Sequence, residues 1–412
     1  MKNMKQIHPL IWNVLIGTLF GRMATSMSIP FLAIYLTNVK GVSPSQTGLI
    51  IAISSLVGIG TSFFGGYLSD RFGRKIILYI SIFMWTAVFI GFGTVQTVAG
   101  FFVVNAMNGF CKSIFEPTSR ALLADLTKKE NRLSIFNLRY TAINIGVIFG
   151  PILGYYLGSS KTTFPFFIAA AVYAIYGISL ILTFKNSTYV SNNVQDPKKR
   201  VTVKEAFLIT KNDRILLWSI IGLILVVAGY AQFSSTLPQF LSNTSKIEDG
   251  AKLFSILMAL NAIVVITLQY PLLKIGKKYS PLISIVIGNI VTVVSLLGMG
   301  ISDTAPMWMI MMVIFTIGEV LMFTMTDMFM DTIAKPGMRG TYFGAMGFMQ
   351  FGNVLGPAIG GLLLDSFGYE KPMLVFGLLA LLSVCGAPIL LYVQWRMNKT
   401  VTLDHTNAAV SK

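Results

Sequence analysis

Gly146, Gly150-Pro151 and Gly154 recur with unchanged spacing at Gly352, Gly356-Pro357 and Gly360, 206 residues later in a chain of 412. Each copy sits in an apolar run of helical length, so the chain reads as two related halves on one helical plan. Asp125 and Asp331 repeat the same offset, and Arg71-Phe72-Gly73-Arg74-Lys75 is echoed at Lys274-Ile275-Gly276-Lys277-Lys278. A single stripe of glycines four apart is a general helix-packing device in lipid and says little. Several marks at nearly one offset imply duplication. Internal repeats of this kind mark secondary transporters, with a solute site near mid-membrane at the repeat interface.

The chain is 54% hydrophobic and only 12% charged, about half the roughly 25% charged content of soluble domains. Its apolar runs are long enough to cross a hydrocarbon core of roughly 30 Å. There are twelve: 9–37, 44–69, 76–94, 98–125, 135–158, 164–184, 214–242, 250–273, 280–300, 305–332, 340–364 and 372–396. The expected fold is an all-α membrane protein of twelve transmembrane helices in two six-helix bundles, residues 1–184 and 214–412. A polar linker, 185–213, joins them. The first run is too long for a signal-peptide core and a second span follows it directly, so no cleaved leader is expected.

The net charge of +16 follows topology rather than nucleic acid. With the N-terminus inside, 23 of the 32 Lys and Arg fall in cytoplasmic segments, counting Arg214 and Arg396 at the cytoplasmic ends of their spans. Five fall in outer loops or at the outer end of a span: Lys40, Lys161, Lys246, Lys252 and Lys371. This positive-inside asymmetry places both termini in the cytoplasm of a cell-membrane protein. Cys111 and Cys385 lie inside apolar runs, and His8 and His405 lie in the tails. No disulfide framework, metal cluster or cofactor motif is expected, and no phosphate loop of the Walker type is present.

The loop after the second span reads Gly65-Gly66-Tyr67-Leu68-Ser69-Asp70-Arg71-Phe72-Gly73-Arg74-Lys75. Gly73 permits a tight reversal, and Arg71, Arg74 and Lys75 hold the loop to the cytoplasmic side. Asp70 can pair with a basic neighbour or face a helix end. This stretch resembles the signature of the major facilitator superfamily, Gly-x-Leu-x-Asp-Arg-x-Gly-Arg-Arg/Lys. The resemblance implies a conformational gate built from Gly66, Asp70, Arg71, Gly73, Arg74 and Lys75, which latches the halves when the cavity opens outward. Within that family, Gly146, Gly150, Pro151 and Gly154 resemble the antiporter motif of drug:proton exporters. That motif is held to seal the two halves, although its echo in span eleven makes part of the signal architectural. In span four the family pattern carries an Arg where this chain has Asn105, followed by Asn108 and Gly109. The role of that Arg must therefore lie elsewhere.

Ionisable groups near mid-membrane are costly and usually functional. Arg22, Lys112, Glu116 and Glu319 occupy such positions. Lys112 and Glu116, at i and i+4, can pair on one helix face, either as a structural anchor or in transport. Glu319 has no charged neighbour within a turn and suits a group that takes up and releases a proton, with Glu116 as the second candidate. Arg22 is either the partner of Glu319 across the halves or a substrate contact. Arg120, Asp125, Arg132 and Arg139 are read as an inner network. Asn105, Asn108, Asn144, Gln232, Asn261 and Gln350, together with Arg22 and Lys112, are candidates to line the cavity. The expected function is proton-coupled efflux of small amphipathic compounds by a monomer in the lipid bilayer. The alternative is a proton-coupled symporter for peptides, sugars or organic anions, held by Arg22 and Lys112.

Overall fold

The computed structural model describes residues 8–128, 131–187, 211–276, 278–334, 342 and 345–410. These residues form helices joined by short turns, and most of the expected linker lies outside them. The first half contains α1 (Pro9–Asn38), α2 (Pro44–Phe72), α3 (Arg74–Thr94), α4 (Val98–Asp125), α5 (Arg132–Tyr156) and α6 (Phe164–Lys185). The second contains α7 (Arg214–Asn243), α8 (Gly250–Gly276), α9 (Pro281–Gly300), α10 (Ala305–Ile333), α11 (Gly347–Phe367) and α12 (Pro372–Lys399). Among the described residues, eleven helices are long and apolar enough to cross a membrane. The 29-residue α2 is the remaining long helix, giving the twelve that the apolar runs indicated.

Local chemistry sets the helix starts. Pro44 follows Ser43, whose hydroxyl accepts from the Gln46 amide, and Pro281 follows Ser280, which caps the Ile283 amide. Proline at a first turn loses no intrahelical bond, and a preceding Ser satisfies an orphan donor. Asp213 caps α7 by accepting from the amides of Ile215 and Leu216. Gly73 turns the chain between α2 and α3 at φ +85°, a conformation that favours glycine. A 3-10 turn at Ala231–Ser234 interrupts α7, and another, Gly347–Phe351, follows the helical residues Ala345 and Met346.

Packing repeats between the halves. In the first, α1 packs on α5 and α6, α2 on α4, and α3 on α4 and α6. In the second, α7 packs on α11 and α12, and α9 on α10 and α12. The chain divides into two compact units. The first comprises the described residues up to 187 together with Ser234–Ile263; the second comprises the rest. The expected halves thus differ from the packing units in one segment. Residues 234–263 join the first unit because the Thr236–Asn243 stretch packs on α1. Tyr155 also donates a hydrogen bond to the Asp249 carboxylate, and Phe31 meets Phe254 edge to face at 5.8 Å.

The recurring glycines explain the repeat. A Cβ placed on Gly146, Gly150 or Gly154 of α5 would lie 2.8, 2.7 and 2.2 Å from the α1 backbone at Met23 N, Met23 O and Met27 O. Their near neighbour is therefore α1 of the same half. Gly352 and Gly356 repeat this on α7, where a Cβ would lie 2.5 Å from Ile224 O and 2.7 Å from Ala228 O. The two copies do the same architectural work. Gly150→Ala and Gly356→Ala should each destabilise the detergent-solubilised protein by roughly 1–3 kcal/mol of overpacking, read as a lower melting temperature. A loss confined to Gly150→Ala would contradict this equivalence.

Candidate solute-binding cavity

Two glycines on α1 open the interior of the first half. A Cβ on Gly17 would meet the Tyr176 ring at 2.0 Å, and one on Gly21 would touch Tyr173 at 3.4 Å. The absent side chains let both tyrosines of α6 reach inward. There they border a cavity of about 280 Å³, lined also by Arg22, Thr25, Trp85, Asn105, Asn108, Lys112, Phe115, Glu116 and Arg139. The aromatic wall is fixed by contact. Trp85 lies 5.0 Å from Tyr173, which stacks on Phe89 at 5.3 Å, and Tyr173 Oη donates to Gly21 O at 3.1 Å. The asparagines are held as a chain. Asn105 donates to Ile50 O at 2.6 Å, Asn108 to Asn105 Oδ1 at 3.1 Å, and Trp85 Nε1 to Asn108 Oδ1 at 2.8 Å. Buried polar groups satisfied in this way hold a fixed geometry.

Glu116 is the only carboxylate among the lining residues. Its ion pairs are with Arg139 at 2.5 Å and Arg120 at 3.8 Å. Lys112 is not its salt-bridge partner, although the i, i+4 spacing allowed that. Arg139, just 5% exposed, reaches from α5 and takes the carboxylate with a guanidinium, whose fork suits a carboxylate better than an ammonium does. Lys112 forms no hydrogen bond or ion pair among the described residues and remains accessible where it lines the cavity. The Nε of Arg22, the Nε of Arg139 and the hydroxyl of Tyr176 are buried with no hydrogen-bond partner among the described residues. One carboxylate thus faces three lining cations.

Glu319 lies at the middle of α10 in the second unit, half-buried. Tyr230 Oη donates to its Oε1 at 3.1 Å, while the Tyr230 ring stacks on Phe315 and meets Phe323 edge to face at 4.8 Å. Gly318 beside it presses on α9, where a Cβ would lie 2.6 Å from Gly288 O. The carboxylate therefore sits on a closely packed helix pair in an aromatic setting and accepts from the Tyr230 hydroxyl.

Glycine contacts also give the register between halves. Gly17 meets Tyr176 as Gly222 meets Leu390, and Gly146 meets Leu19 O as Gly352 meets Ile224 O, an offset of 205 for α1 and α7. Gly91 meets Val104 as Gly298 meets Met311, an offset of 207 for α3 with α9 and α4 with α10. The N-caps Thr97 and Thr304 agree with the second value. On this register Arg22 corresponds to Val227, Glu116 to Phe323, and Arg139, at the 206 offset of the α5 glycines, to Ala345. Lys112 corresponds to Glu319 itself. The second half thus carries the same helix packing with apolar residues where the first half has Arg22, Glu116 and Arg139.

The other expected positions separate. Arg22, Lys112, Asn105, Asn108 and Glu116 share the cavity; Asn144, Gln232, Asn261 and Gln350 are not among its lining. Asn144 bonds its own helix at Tyr140 O, and Gln232 ties α7 to α11 through Gly356 O at 3.1 Å. Asn261 is buried on α8, and Gln350 is exposed, accepting from Asn353. In the gate segment, Arg74 bonds Asp125 at 3.3 Å and Ser69. Arg71 lies over the Phe72 ring, and Lys75 lies near the rings of Tyr79 and Phe184. The side chains of Asp70 and Tyr67, and residue Gly66 beyond its helical backbone, lie outside the described residues. Arg132 Nε donates to Thr127 O, whereas Arg139, expected with it in the inner network, belongs to the cavity. The aromatic wall of Trp85, Tyr173 and Tyr176 was not singled out in the sequence, since tyrosines and tryptophans in apolar runs carry no distinguishing pattern.

Arg139→Gln should strand the Glu116 charge with the more distant Arg120 and lower stability by about 3 kcal/mol or more, the usual result of breaking a buried pair from one side. Adding Glu116→Gln should recover most of that loss. Thermal unfolding of the two variants checks this, and a double variant no more stable than the single one would refute it.

The sequence profile of the Major Facilitator Superfamily matches residues 14–351. The chain is 49% identical over 405 residues to the uncharacterized MFS-type transporter YqjV of Bacillus subtilis (strain 168), covering 98% of each chain. It is 26% identical to a Na(+), Li(+), K(+)/H(+) antiporter of Planococcus maritimus, covering 90% of this chain and 92% of that one. To the quinolone resistance protein NorA of Staphylococcus aureus (strain MRSA252) it is 27% identical, covering 88% and 90%. With its apolar helices and duplicated packing, the chain is a multi-pass membrane transporter rather than an enzyme, and it belongs to the Major Facilitator Superfamily.

Proposed function

We propose that the protein is a proton-coupled exporter of small organic compounds, acting as a monomer in the cell membrane with both termini inside. Its two six-helix bundles, joined by the 185–213 linker, carry out alternating access. The observation that carries this reading is Glu319: a carboxylate at the middle of a crossing helix, held by Tyr230 and by the Gly318–Gly288 contact. A carboxylate in such a place is costly unless it is used, and proton loading is the use its chemistry suits. The relatives named as a proton antiporter and as a resistance protein support export. The surplus of cations in the first-half cavity argues against metal cations as cargo, since like charges there would repel them.

That same surplus favours a second reading, symport of a proton with an organic anion. A proton and an anion carried together leave the net charge of the carrier unchanged. The two readings differ in which way protons move.

The test uses proteoliposomes containing a pH-sensitive dye, an imposed proton gradient and a panel of small compounds. Wild-type protein should move protons when a compound is added, and Glu319→Gln should abolish gradient-driven accumulation while eluting as a folded monomer. Protons moving against the compound support export, and protons moving with it support symport. A Gln variant that still accumulates compound with normal pH dependence would remove Glu319 as the proton carrier.

A further inference from the structure

The cavity of the first half contains more donors than acceptors. Arg22 Nε, Arg139 Nε and Tyr176 Oη are buried beside it with no partner, and the Lys112 ammonium has none within ion-pair distance among the described residues. Glu116 does not balance them, because it is already taken by Arg139 and Arg120. Buried donors without acceptors lose hydrogen-bond energy, and unpaired charges lose more. Such a set persists when it serves something that arrives, and what it lacks is an acceptor bearing negative charge.

Two comparisons within the molecule sharpen this. The second half has Val227 for Arg22, Phe323 for Glu116 and Ala345 for Arg139, with Leu390 against Gly222 where Tyr176 stands against Gly17. The donors are thus added to a framework that does not need them. The rest of the wall is aromatic, with Trp85, Phe115 and Tyr173 at fixed contacts. A volume of about 280 Å³ lies just below the usual small-ligand range of roughly 300–1,000 Å³, so the occupant is small.

We infer that Arg22, Lys112 and Tyr176 form an anion subsite that receives the carboxylate, or an equivalent acidic group, of a small aryl- or alkyl-bearing acid. Trp85 and Phe115 take its apolar part, and Arg139 keeps Glu116 from repelling it. The inference rests on the transport reading for its physiological meaning, but binding can be measured without transport. It deepens that reading by naming the charge of the cargo.

The test compares 3-phenylpropionate with 3-phenylpropionamide, which share shape and differ in charge, by calorimetry and by thermal stabilisation of delipidated protein in neutral detergent. Sulfate and phenylphosphonate serve as further anions. Wild-type protein should bind the carboxylate at least about tenfold more tightly than the amide, as a site built for a charged acceptor does. Arg22→Gln and Lys112→Gln should each remove that preference, and Arg22→Lys should retain part of it, which a loss of folding would not. Equal binding of acid and amide, or no stabilisation by any of the anions up to about 10 mM, would overturn the inference. So would an anion preference left intact in both Gln variants. Anion binding with no proton-linked transport would instead refute the transport proposal alone, and proton-linked transport of only neutral or cationic compounds would refute the subsite alone.

Discussion

The contact between α1 and α5 is the constraint on which the first half depends. At Gly146, Gly150 and Gly154 no side chain stands between the helices, and an added Cβ would fall within 2.2–2.8 Å of the α1 backbone. Backbones this close gain dense dispersion contact, the main source of helix association where lipid removes the hydrophobic drive. The contact also fixes the rotation of α1. Arg22 Cβ lies 3.0 Å from where a Gly146 Cβ would be, so the glycine face sets where the arginine leaves its helix. A one-residue slip would swing Arg22 by about 100° around α1, away from the cavity.

The second half uses the same contact between α7 and α11, yet it carries different chemistry. Where the first half has Arg22, Glu116 and Arg139, the second has apolar residues, and where the first has Lys112 the second has Glu319. Duplication preserved the packing and released the mid-helix positions to diverge. The two halves differ in chemistry: one presents cations and a polar cavity, and the other carries the mid-helix carboxylate Glu319, which accepts from Tyr230. On the proposed function, solute recognition and proton loading lie on separate helices.

Much of this was legible in the sequence, and the remainder was hidden for physical reasons. The apolar runs gave the helices to within a few residues, because a span must be long and dry. At the start of the eleventh run, residues 340, 341, 343 and 344 lie outside the described residues. The glycine repeat gave the duplication. It did not give the register, since loops of unequal length make the offset 205 for α1 and 207 for α4. At the uniform 206, Lys112 falls opposite Gly318 and its kinship with Glu319 is lost. Arg139 was misplaced in an inner network because it lies near the start of α5, and only folding brings it to Glu116. The i, i+4 spacing of Lys112 and Glu116 was real, but a guanidinium from another helix took the carboxylate. The Arg22 side chain was recognisable as unusual, while its want of a partner appears only once every neighbour is in place.

We propose that glycine contacts hold the fold while the first-half charges serve the solute. This is tested most directly by giving the first half the residues of the second: Arg22→Val, Glu116→Phe and Arg139→Ala together. Loss of the Arg139 side chain leaves room for the larger ring, and replacing a buried ion cluster with apolar groups is often neutral or stabilising by about 1–4 kcal/mol. The melting temperature of the purified triple variant should equal or exceed that of the wild type. A triple variant that aggregates or melts well below the wild type would show that the charges are part of the fold, and would contradict the account.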